Sequence, residues 1–318
     1  MKEAIRKMAL ETGYILAGFS DVMLKDRDLK NLTLFAESLG DEMSWFQKYK
    51  ELRGHPEKFM SDARSVLMLA VPYRDNEYDS FVSNSAYKIS RYAAGKDYHK
   101  ILRKKGKRLL EKIQIEFPGI KGRITVDSAP VPEKIFGLYS GIGWRGKHTN
   151  LIHPDYGSYF FLSALFLNAK LTSDEPMKDR CGSCRKCIEA CPTKAITDYK
   201  IDAAKCISYL TIEKNGAISD EFSEKLKGWI FGCDICQEVC PYNQRERSRA
   251  VPPDESIRVK KEIIDLLKYL NAGAVIQTGN VSGELFKMIS GILDEGTPLR
   301  RAGIEKILGN IRTAIANT

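Results

Sequence analysis

Two cysteine runs constrain this chain more than any other feature of its sequence. The first run contains Cys181, Cys184, Cys187 and Cys191, followed by Pro192, with the spacing C-x2-C-x2-C-x3-C-P. This is the spacing of bacterial ferredoxins, in which three close cysteines bind one [4Fe–4S] cluster and the fourth binds a second cluster. The run therefore predicts iron–sulfur clusters and electron transfer.

The second run repeats the pattern without its first cysteine. Cys233, Cys236 and Cys240 precede Pro241, and Cys206 is the one remaining cysteine that can complete a set of four. Because the fourth cysteine of each run crosses to the other cluster, the sequence predicts two ligand sets that use all eight cysteines. One set is Cys181, Cys184, Cys187 and Cys240, and the other is Cys191, Cys206, Cys233 and Cys236.

Zinc and disulfides are the alternative uses of such cysteines. Structural zinc sites favour separated C-x2-C pairs or mixtures of Cys and His, and three cysteines within seven residues fit that pattern poorly. Disulfides are typical of small secreted domains, whereas this chain has eight cysteines in 318 residues and shows no secretory signal. The pattern favours clusters over both.

The charge balance points to a polyanionic partner. The formal net charge is +9 with a pI near 9.0, and nucleic acid is the commonest partner of a basic protein, although many basic proteins bind no polyanion.

No apolar run reaches the ~18 residues that a membrane helix needs, and the amphipathic N-terminal helix carries acidic residues. We therefore expect a cytoplasmic protein.

The order of predicted elements indicates an α+β or α/β fold in three parts. Residues 63–73 form a continuous apolar run that predicts a strand covered on both faces. Helices are predicted at about 98–117 and 133–139, and the last helix presents an apolar face from Leu299 to Ile311 that requires a packing partner. The predicted parts are an α/β domain at 1–175, a ferredoxin-like domain at 176–248 and a helical segment at 249–318.

The helix predicted to begin near residue 98 is strongly basic. A solvated helix face is the default interpretation of such a cluster, and a surface that contacts phosphates is the alternative. Six cations fall within nine residues: Lys100, Arg103, Lys104, Lys105, Lys107 and Arg108.

Asp127 is the carboxylate most suggestive of chemistry outside the cysteine runs. It follows an apolar strand and precedes a proline-rich turn, where ligand sites form in α/β sheets. A proton donor is one interpretation, and a cap of the turn or of the next helix is the commoner use of Asp there. His99 could line a pocket, while Arg53 and Lys147 lie in loop-like settings where surface charges are the rule.

The chain as a whole resembles the epoxyqueuosine reductase family. The resemblance covers almost the entire sequence, and its specificity comes from the set and order of the motifs rather than from the ferredoxin run alone. Besides the two cysteine runs, the motifs are residues 95–99, 126–134, 141–147, 157–162, 206–213 and 298–303.

This resemblance implies an enzyme that reduces the epoxide of epoxyqueuosine in a tRNA anticodon loop, the last step of queuosine synthesis. It implies a nitroreductase-like, cobalamin-binding α/β domain joined to the ferredoxin-like domain, with two [4Fe–4S] clusters and a base-off cobalamin as cofactors. The other expected partner is a low-potential electron donor, and the expected state is a monomer.

The resemblance also assigns site residues. The proton donor falls on Asp127, and the positions that contact the corrin fall on Arg53, Ser90, Asp127, Leu151 and Ser208. Longer members of the family continue into HEAT-like helical repeats, so we expect a short form that lacks most of them. A cobalamin-dependent reductive dehalogenase and a non-catalytic ferredoxin-like electron carrier are the alternatives.

Overall fold

The computed structural model describes residues 1–39, 43–273 and 282–317. It divides the chain into two compact units, which are interleaved in sequence. Unit 1 comprises Met1–Pro72 and His99–Ser183, and unit 2 comprises Tyr73–Tyr98 and Cys184–Thr318. This grouping differs from the three segments drawn from the sequence, whose boundaries at 175 and 248 stay a prediction.

The strands and helices are numbered in chain order. The strands are β1 (Leu16–Ser20), β2 (Ser65–Pro72), β3 (Lys88–Ile89), β4 (Gly122–Thr125), β5 (Trp144–Arg145), β6 (Leu151–Ile152), β7 (Phe160–Leu167), β8 (Ile196–Thr197), β9 (Lys200–Ile201) and β10 (Trp229–Phe231). The α-helices are α1 (Lys2–Glu11), α2 (Asp26–Ser38), α3 (Ser44–Lys48), α4 (Lys50–Gly54), α5 (Asn76–Ser83), α6 (Tyr98–Glu116), α7 (Glu133–Tyr139), α8 (Lys186–Glu189), α9 (Ile207–Ile212), α10 (Asp220–Ser223), α11 (Ile235–Glu238), α12 (Pro241–Gln244), α13 (Glu246–Arg249), α14 (Lys261–Asn271), α15 (Gly283–Asp294) and α16 (Gly303–Ala316).

Unit 1 is built on a four-stranded sheet of order β1-β2-β7-β4, antiparallel throughout. The α+β description therefore applies to it. Every residue of β2 is buried, which confirms the predicted strand with both faces covered. On one face, α7 packs against β2 and β7 through a core that includes Phe136, Met68 and Phe166.

The long basic helix α6 also lies in unit 1 from His99 onward. Leu102, Leu109 and Ile113 are fully buried, and their spacing of seven and four residues places them on one helix face. Gly106 lies on the same face, where a Cβ atom would come within 2.5 Å of the Ile124 side chain. The absence of a side chain at Gly106 thus lets α6 approach β4 closely, which matters for the site described below.

Unit 2 combines the cysteine-rich segment with the C-terminal helices. Its core contains Ile230 and Phe231 of β10 together with residues of α5, α14, α15 and α16. Ile307 and Ile311 of α16 are buried in that core, so the predicted apolar face does have its packing partner. Asn310, on the same helix, is 1% exposed and donates hydrogen bonds to the main-chain carbonyls of Thr211 and Ile230.

Among the described residues, no helix combines the length and the apolar character needed to cross a membrane.

Candidate functional site

Asp127 begins a turn that directly follows β4. Its φ is +50°, in the left-handed region that Asp and Asn enter more readily than most residues. Its side chain is 54% exposed, and the carboxylate does not cap α7, whose N-cap residue is Pro132. The capping role that sequence reasoning preferred for Asp127 is therefore wrong for this helix.

Two side chains on α6 hold the turn that carries Asp127. His99 Nε2 lies 3.0 Å from Asp127 Oδ2, and the Arg103 guanidinium donates to Ser128 Oγ. His99 and Arg103 are four residues apart, so they lie one above the other on the helix. The close approach of α6 to β4 at Gly106 brings both within reach of the turn.

Glu133, the first residue of α7, is the third group at this site. Its Oε1 accepts a hydrogen bond of 2.9 Å from the main-chain N–H of Asp127. Burial raises the pKa of Glu133 to about 8, and the negative charge of Asp127 adds to the increase, while the Asp127 N–H, His99 and Thr125 oppose it. At neutral pH the site therefore holds a neutral carboxyl group beside the exposed carboxylate of Asp127.

Arg53, on α4, brings a positive charge toward the carboxylate of Asp127. Its guanidinium lies 4.4 Å from the centre of the Phe46 ring, and its buried Nε has no hydrogen-bond partner among the described residues. Burial lowers the pKa of Arg53, and the charge of Asp127 opposes this decrease. Arg53 and Phe46 also line a cavity of about 260 Å³ with Leu29, Leu32 and Lys50.

The remaining predicted corrin contacts are distributed over both units. Leu151 is buried in β6 of unit 1. In unit 2, Ser90 is 1% exposed and donates a 2.6 Å hydrogen bond to Asp234 Oδ1, so its hydroxyl is already engaged. Ser208 is partly buried on α9, and its carbonyl accepts from the hydroxyl of Thr211.

The cysteines lie mostly in unit 2, where the structure brings several of them together. Cys206 precedes α9, and Cys236 lies on α11, which packs against α8. Cys236 is within electrostatic reach of Cys206, Cys187 and Cys191, and Cys233 is within reach of Cys236 and Cys206. Cys206 is thus near enough to Cys233 and Cys236 for its charge to raise their pKa values, while the ligand sets stay a prediction.

The chemistry of these thiols suits an iron–sulfur cluster. Burial raises the pKa of Cys233 and of Cys236, and neighbouring cysteine charges raise both further. Thiolates crowded in this way need compensating positive charge, which the irons of a cluster provide. Within the described ranges, no three His, Cys, Asp or Glu side chains converge on a position for one metal ion.

Sequence reasoning singled out Asp127 but missed its neighbours Glu133 and Arg103. The spacing of four residues between His99 and Arg103 on a helix was the available signal for a shared face. No local pattern connects Glu133 to Asp127, because their contact depends on the shape of the intervening turn.

The fold and the cysteine pattern define this chain as an iron–sulfur protein with an α+β unit. Residues 180–243 match the family model of a 4Fe-4S double cluster binding domain. Residues 53–128 match the model described as epoxyqueuosine reductase QueG, DUF1730.

Curated relatives identify the family. The epoxyqueuosine reductase of Leadbetterella byssophila is 42% identical over 258 residues, covering 80% of this chain and 84% of the relative. That of Escherichia coli is 34% identical over 321 residues, covering 100% of this chain and 81% of the relative. The chain belongs to the epoxyqueuosine reductase family.

Solved structures agree with this assignment. An epoxyqueuosine reductase from Streptococcus thermophilus superimposes with a TM-score of 0.79 at 28% identity, covering 100% of this chain and 81% of that one. A reductase bound to an epoxyqueuosine-modified tRNA-Tyr stem loop gives 0.75 at 29% identity, with 99% and 81% covered. The Bacillus subtilis enzyme, with its catalytic aspartate loop swung out of the active site, gives 0.74 at 26% identity, with 99% and 81% covered.

Proposed function

We propose that this protein reduces the epoxide of epoxyqueuosine in tRNA to the cyclopentene of queuosine, with Asp127 as the proton donor. The observation that carries this proposal is the exposed carboxylate of Asp127, held by His99 and flanked by Glu133 and Arg53. Membership of the epoxyqueuosine reductase family suggests epoxyqueuosine in tRNA as the substrate that receives the proton. The relative with a catalytic aspartate on a mobile loop supports the same role for Asp127 on its turn.

The cofactors of the proposal are two [4Fe–4S] clusters and cobalamin. The cluster ligands are the two sets of four cysteines given by the crossing rule. For cobalamin, the buried Nε of Arg53 fits an amide oxygen of a corrin side chain, because it is a donor that still lacks an acceptor. Leu151, Ser90 and Ser208 are the further positions that the family resemblance assigns to the corrin.

The reaction consumes two electrons and two protons, breaks both C–O bonds of the epoxide and releases its oxygen as water. Bound cobalamin supplies a low-valent metal that can attack or reduce a strained epoxide carbon. The protein must supply a proton to the departing oxygen, and we assign this role to the exposed carboxyl group of Asp127. His99, in direct contact with that carboxyl group, can return a proton to it.

The other groups around Asp127 orient it. The hydrogen bond from its N–H to Glu133 fixes the start of the turn, and the contact between Arg103 and Ser128 fixes the next residue. Because Glu133 is neutral near pH 7, it accepts this hydrogen bond without adding a second full charge beside Asp127. This geometry keeps the carboxyl group in one place without burying it.

The basic face of α6 is the surface that we assign to tRNA phosphates. Lys100, Arg103, Lys104, Lys107 and Arg108 are exposed on this helix, and α6 also carries the His99 that contacts Asp127. Lys105 differs from them, because its Nζ donates to the carbonyl of Gly13.

We further propose that the protein acts in the cytoplasm as a monomer that receives electrons from a low-potential donor.

The decisive experiment compares the wild type with Asp127→Asn after anaerobic reconstitution with iron, sulfide and cobalamin. The substrate is tRNA from cells that accumulate epoxyqueuosine, and the conversion is followed by mass spectrometry of the nucleosides. We expect Asp127→Asn to lose about 10²-fold or more of the rate, the usual contribution of a general acid, while iron content and tRNA binding stay unchanged. The rate is expressed per bound cobalt, because Asp127 is also one of the assigned corrin positions.

Asp62→Asn is the matched control, since Asp62 is an exposed carboxylate elsewhere in unit 1. It should retain wild-type activity. Full activity of Asp127→Asn would refute the proton-donor role. Release of halide from chlorinated phenols without any change in the tRNA would instead favour a dehalogenase, and iron without cobalt or tRNA binding would favour an electron carrier.

A further inference from the structure

Two exposed aromatic rings lie one helical turn apart on the short helix α3. Among the described residues, three aromatic side chains are exposed: Trp45 at 42%, Tyr49 at 45% and Phe286 at 46%. Trp45 belongs to α3 and Tyr49 directly follows it, and a spacing of four residues puts both rings on one helix face. A single exposed apolar residue is ordinary, whereas two adjacent rings form a surface.

Phe46 anchors this segment to the rest of unit 1. Its ring centre is 5.3 Å from that of Phe35 on α2 and 5.8 Å from that of Trp45, both in edge-on geometry. The Arg53 guanidinium lies 4.4 Å from the centre of the Phe46 ring and 5.8 Å from that of Trp45. Trp45 is therefore held in place by Phe46 and Arg53 while much of its ring stays open to solvent.

The charges next to the two exposed rings are positive. Lys48 and Lys50 flank Tyr49 in the sequence and are both exposed, and the Lys48 Nζ lies 5.5 Å from the centre of the Tyr49 ring. Within the described ranges neither lysine pairs with a carboxylate, and Glu51, the next acidic residue, pairs with a lysine of its own. The acidic pair at 41–42 precedes α3 in the sequence and lies outside the described residues.

Rings bordered by such lysines suit a partner that is both aromatic and anionic. Single-stranded RNA has this chemistry, because its unpaired bases stack on aromatic side chains while its phosphates attract lysines. Paired bases are already stacked on each other, so a helical stem offers phosphates to the lysines but no free base to the rings. The surface therefore fits an RNA loop better than an RNA duplex.

Arg53 connects this surface to the reacting carboxylate. Its guanidinium touches the Trp45 ring, and the charge of Asp127 acts on the same guanidinium. A tRNA that presents its modified nucleotide to Asp127 thus brings the neighbouring bases of the anticodon loop toward α3. The α6 surface lies on the other contact of Asp127, through His99.

We propose that Trp45 and Tyr49 stack on unpaired bases of the anticodon loop beside the modified nucleotide, with Lys48 and Lys50 on the adjoining phosphates. The inference rests on the proposed function, since that function supplies the tRNA loop. It adds a contact that recognises single-stranded bases to the phosphate contacts assigned to α6.

The first test measures RNA affinity by electrophoretic mobility shift with the reconstituted protein. The probes are an anticodon stem-loop RNA and a fully paired RNA duplex with the same number of phosphates. Trp45→Ala and Tyr49→Ala should each bind the stem-loop about 10-fold more weakly and the duplex as tightly as the wild type does. The slope of affinity against salt should not change, because a stacked ring releases no counterions. Trp45→Phe keeps a ring and should recover most of the affinity.

The second test uses the fluorescence of Trp45. The chain has three tryptophans, and the other two, Trp144 and Trp229, are each 1% exposed. A base stacked on an indole quenches its emission, so the stem-loop should quench the wild type and the duplex should not. The difference between the wild type and Trp45→Phe isolates the signal of Trp45, and Trp45→Phe itself should show no quenching.

Phe286→Ala is the matched control, since Phe286 is equally exposed but lies on α15, and it should bind both probes like the wild type. Unchanged stem-loop affinity in Trp45→Ala and Tyr49→Ala, or equal losses for stem-loop and duplex, would overturn the proposal. Two other results would also overturn it, each with RNA binding unchanged. Loss of cobalt from Trp45→Ala would assign the rings to the corrin, and loss of a dimer would assign them to a second copy of the chain.

The two proposals fail in different ways. A wild type that reduces epoxyqueuosine in tRNA, with stem-loop binding that does not depend on Trp45 or Tyr49, would refute the stacking surface alone. A wild type that binds the stem-loop with quenching of Trp45 but converts no epoxyqueuosine would count against the proposed function alone.

Discussion

Glu133 allows a direct physical test of the site, because its titration should appear in the stability of the protein. Its pKa is raised to about 8 in the folded chain, mainly by burial and then by the charge of Asp127. Below the unfolded value of about 4.5 the group is neutral in both states. Between that value and about 8 it ionises only when the chain unfolds, so stability falls as the pH rises through this window.

The magnitude follows from the difference between the two pKa values. A rise of the pKa from 4.5 to about 8 corresponds to a loss of about 5 kcal/mol in the free energy of unfolding, at ~1.4 kcal/mol per pH unit. Because Glu133 is partly exposed, we reduce this loss to about 2 kcal/mol. Glu133→Gln keeps an oxygen that can accept the Asp127 N–H but does not titrate. We therefore expect the variant to gain about 2 kcal/mol of stability over the wild type between pH 5 and pH 8.5.

The assay is urea denaturation of the metal-free wild type and of metal-free Glu133→Gln at pH 5, 7 and 8.5. The free energies of unfolding of the two proteins can be compared where their m values are the same. His99 and Asp127 are present in both proteins, so the difference reports the titration of Glu133 together with its coupling to these two neighbours. Glu111→Gln is the control, since Glu111 is exposed on α6 and the substitution removes the same charge. A difference between Glu133→Gln and the wild type that does not change with pH would refute the reasoning.

Two further predictions address the core and the tRNA surface. Asn310→Ala leaves two buried main-chain carbonyls without their donor and should cost about 3 kcal/mol in urea denaturation, without a change in m. Replacing both Lys104 and Lys107 with Ala should reduce the slope of log K, the association constant for tRNA, against log salt concentration by about 2, because each lysine is assigned one phosphate. Replacing the exposed pair Lys7 and Lys30 is the control and should leave the slope unchanged.

Features set by local pattern could be predicted from the sequence. The apolar run 63–73 contains β2, and the predicted helix at 133–139 coincides with α7. The apolar face of the last helix packs as expected because periodicity alone reports burial. The cysteine spacing indicated clusters for a similar reason, since a ligand motif is contained within a few residues.

Features that depend on distant segments could not be predicted. The sheet order β1-β2-β7-β4 joins strands separated by up to about a hundred residues, and no pattern within a strand encodes its neighbour. Lys147 is buried but reads as a surface charge, because its partner, the Gly182 carbonyl, is 35 residues away. The environment of Asp127 combines α4, α6 and α7, so the sequence could indicate the carboxylate but not the groups that orient it.

The interleaving of the two units has a physical reason in the buried charges of residues 73–98. Arg91 is 4% exposed and pairs with Asp79, Asp234 and Glu238. Buried ions are costly unless each has partners, and these partners come from α5 and from the cysteine-rich segment. The stretch between β2 and α6 therefore belongs to unit 2, because Asp234 would lose its ion-pair partner Arg91 and stay buried without it. Arg91 donates to the Asp234 carboxylate through both its main-chain N–H and its guanidinium, so Asp234, which lies between Cys233 and Cys236, links residues 73–98 to the second cysteine run.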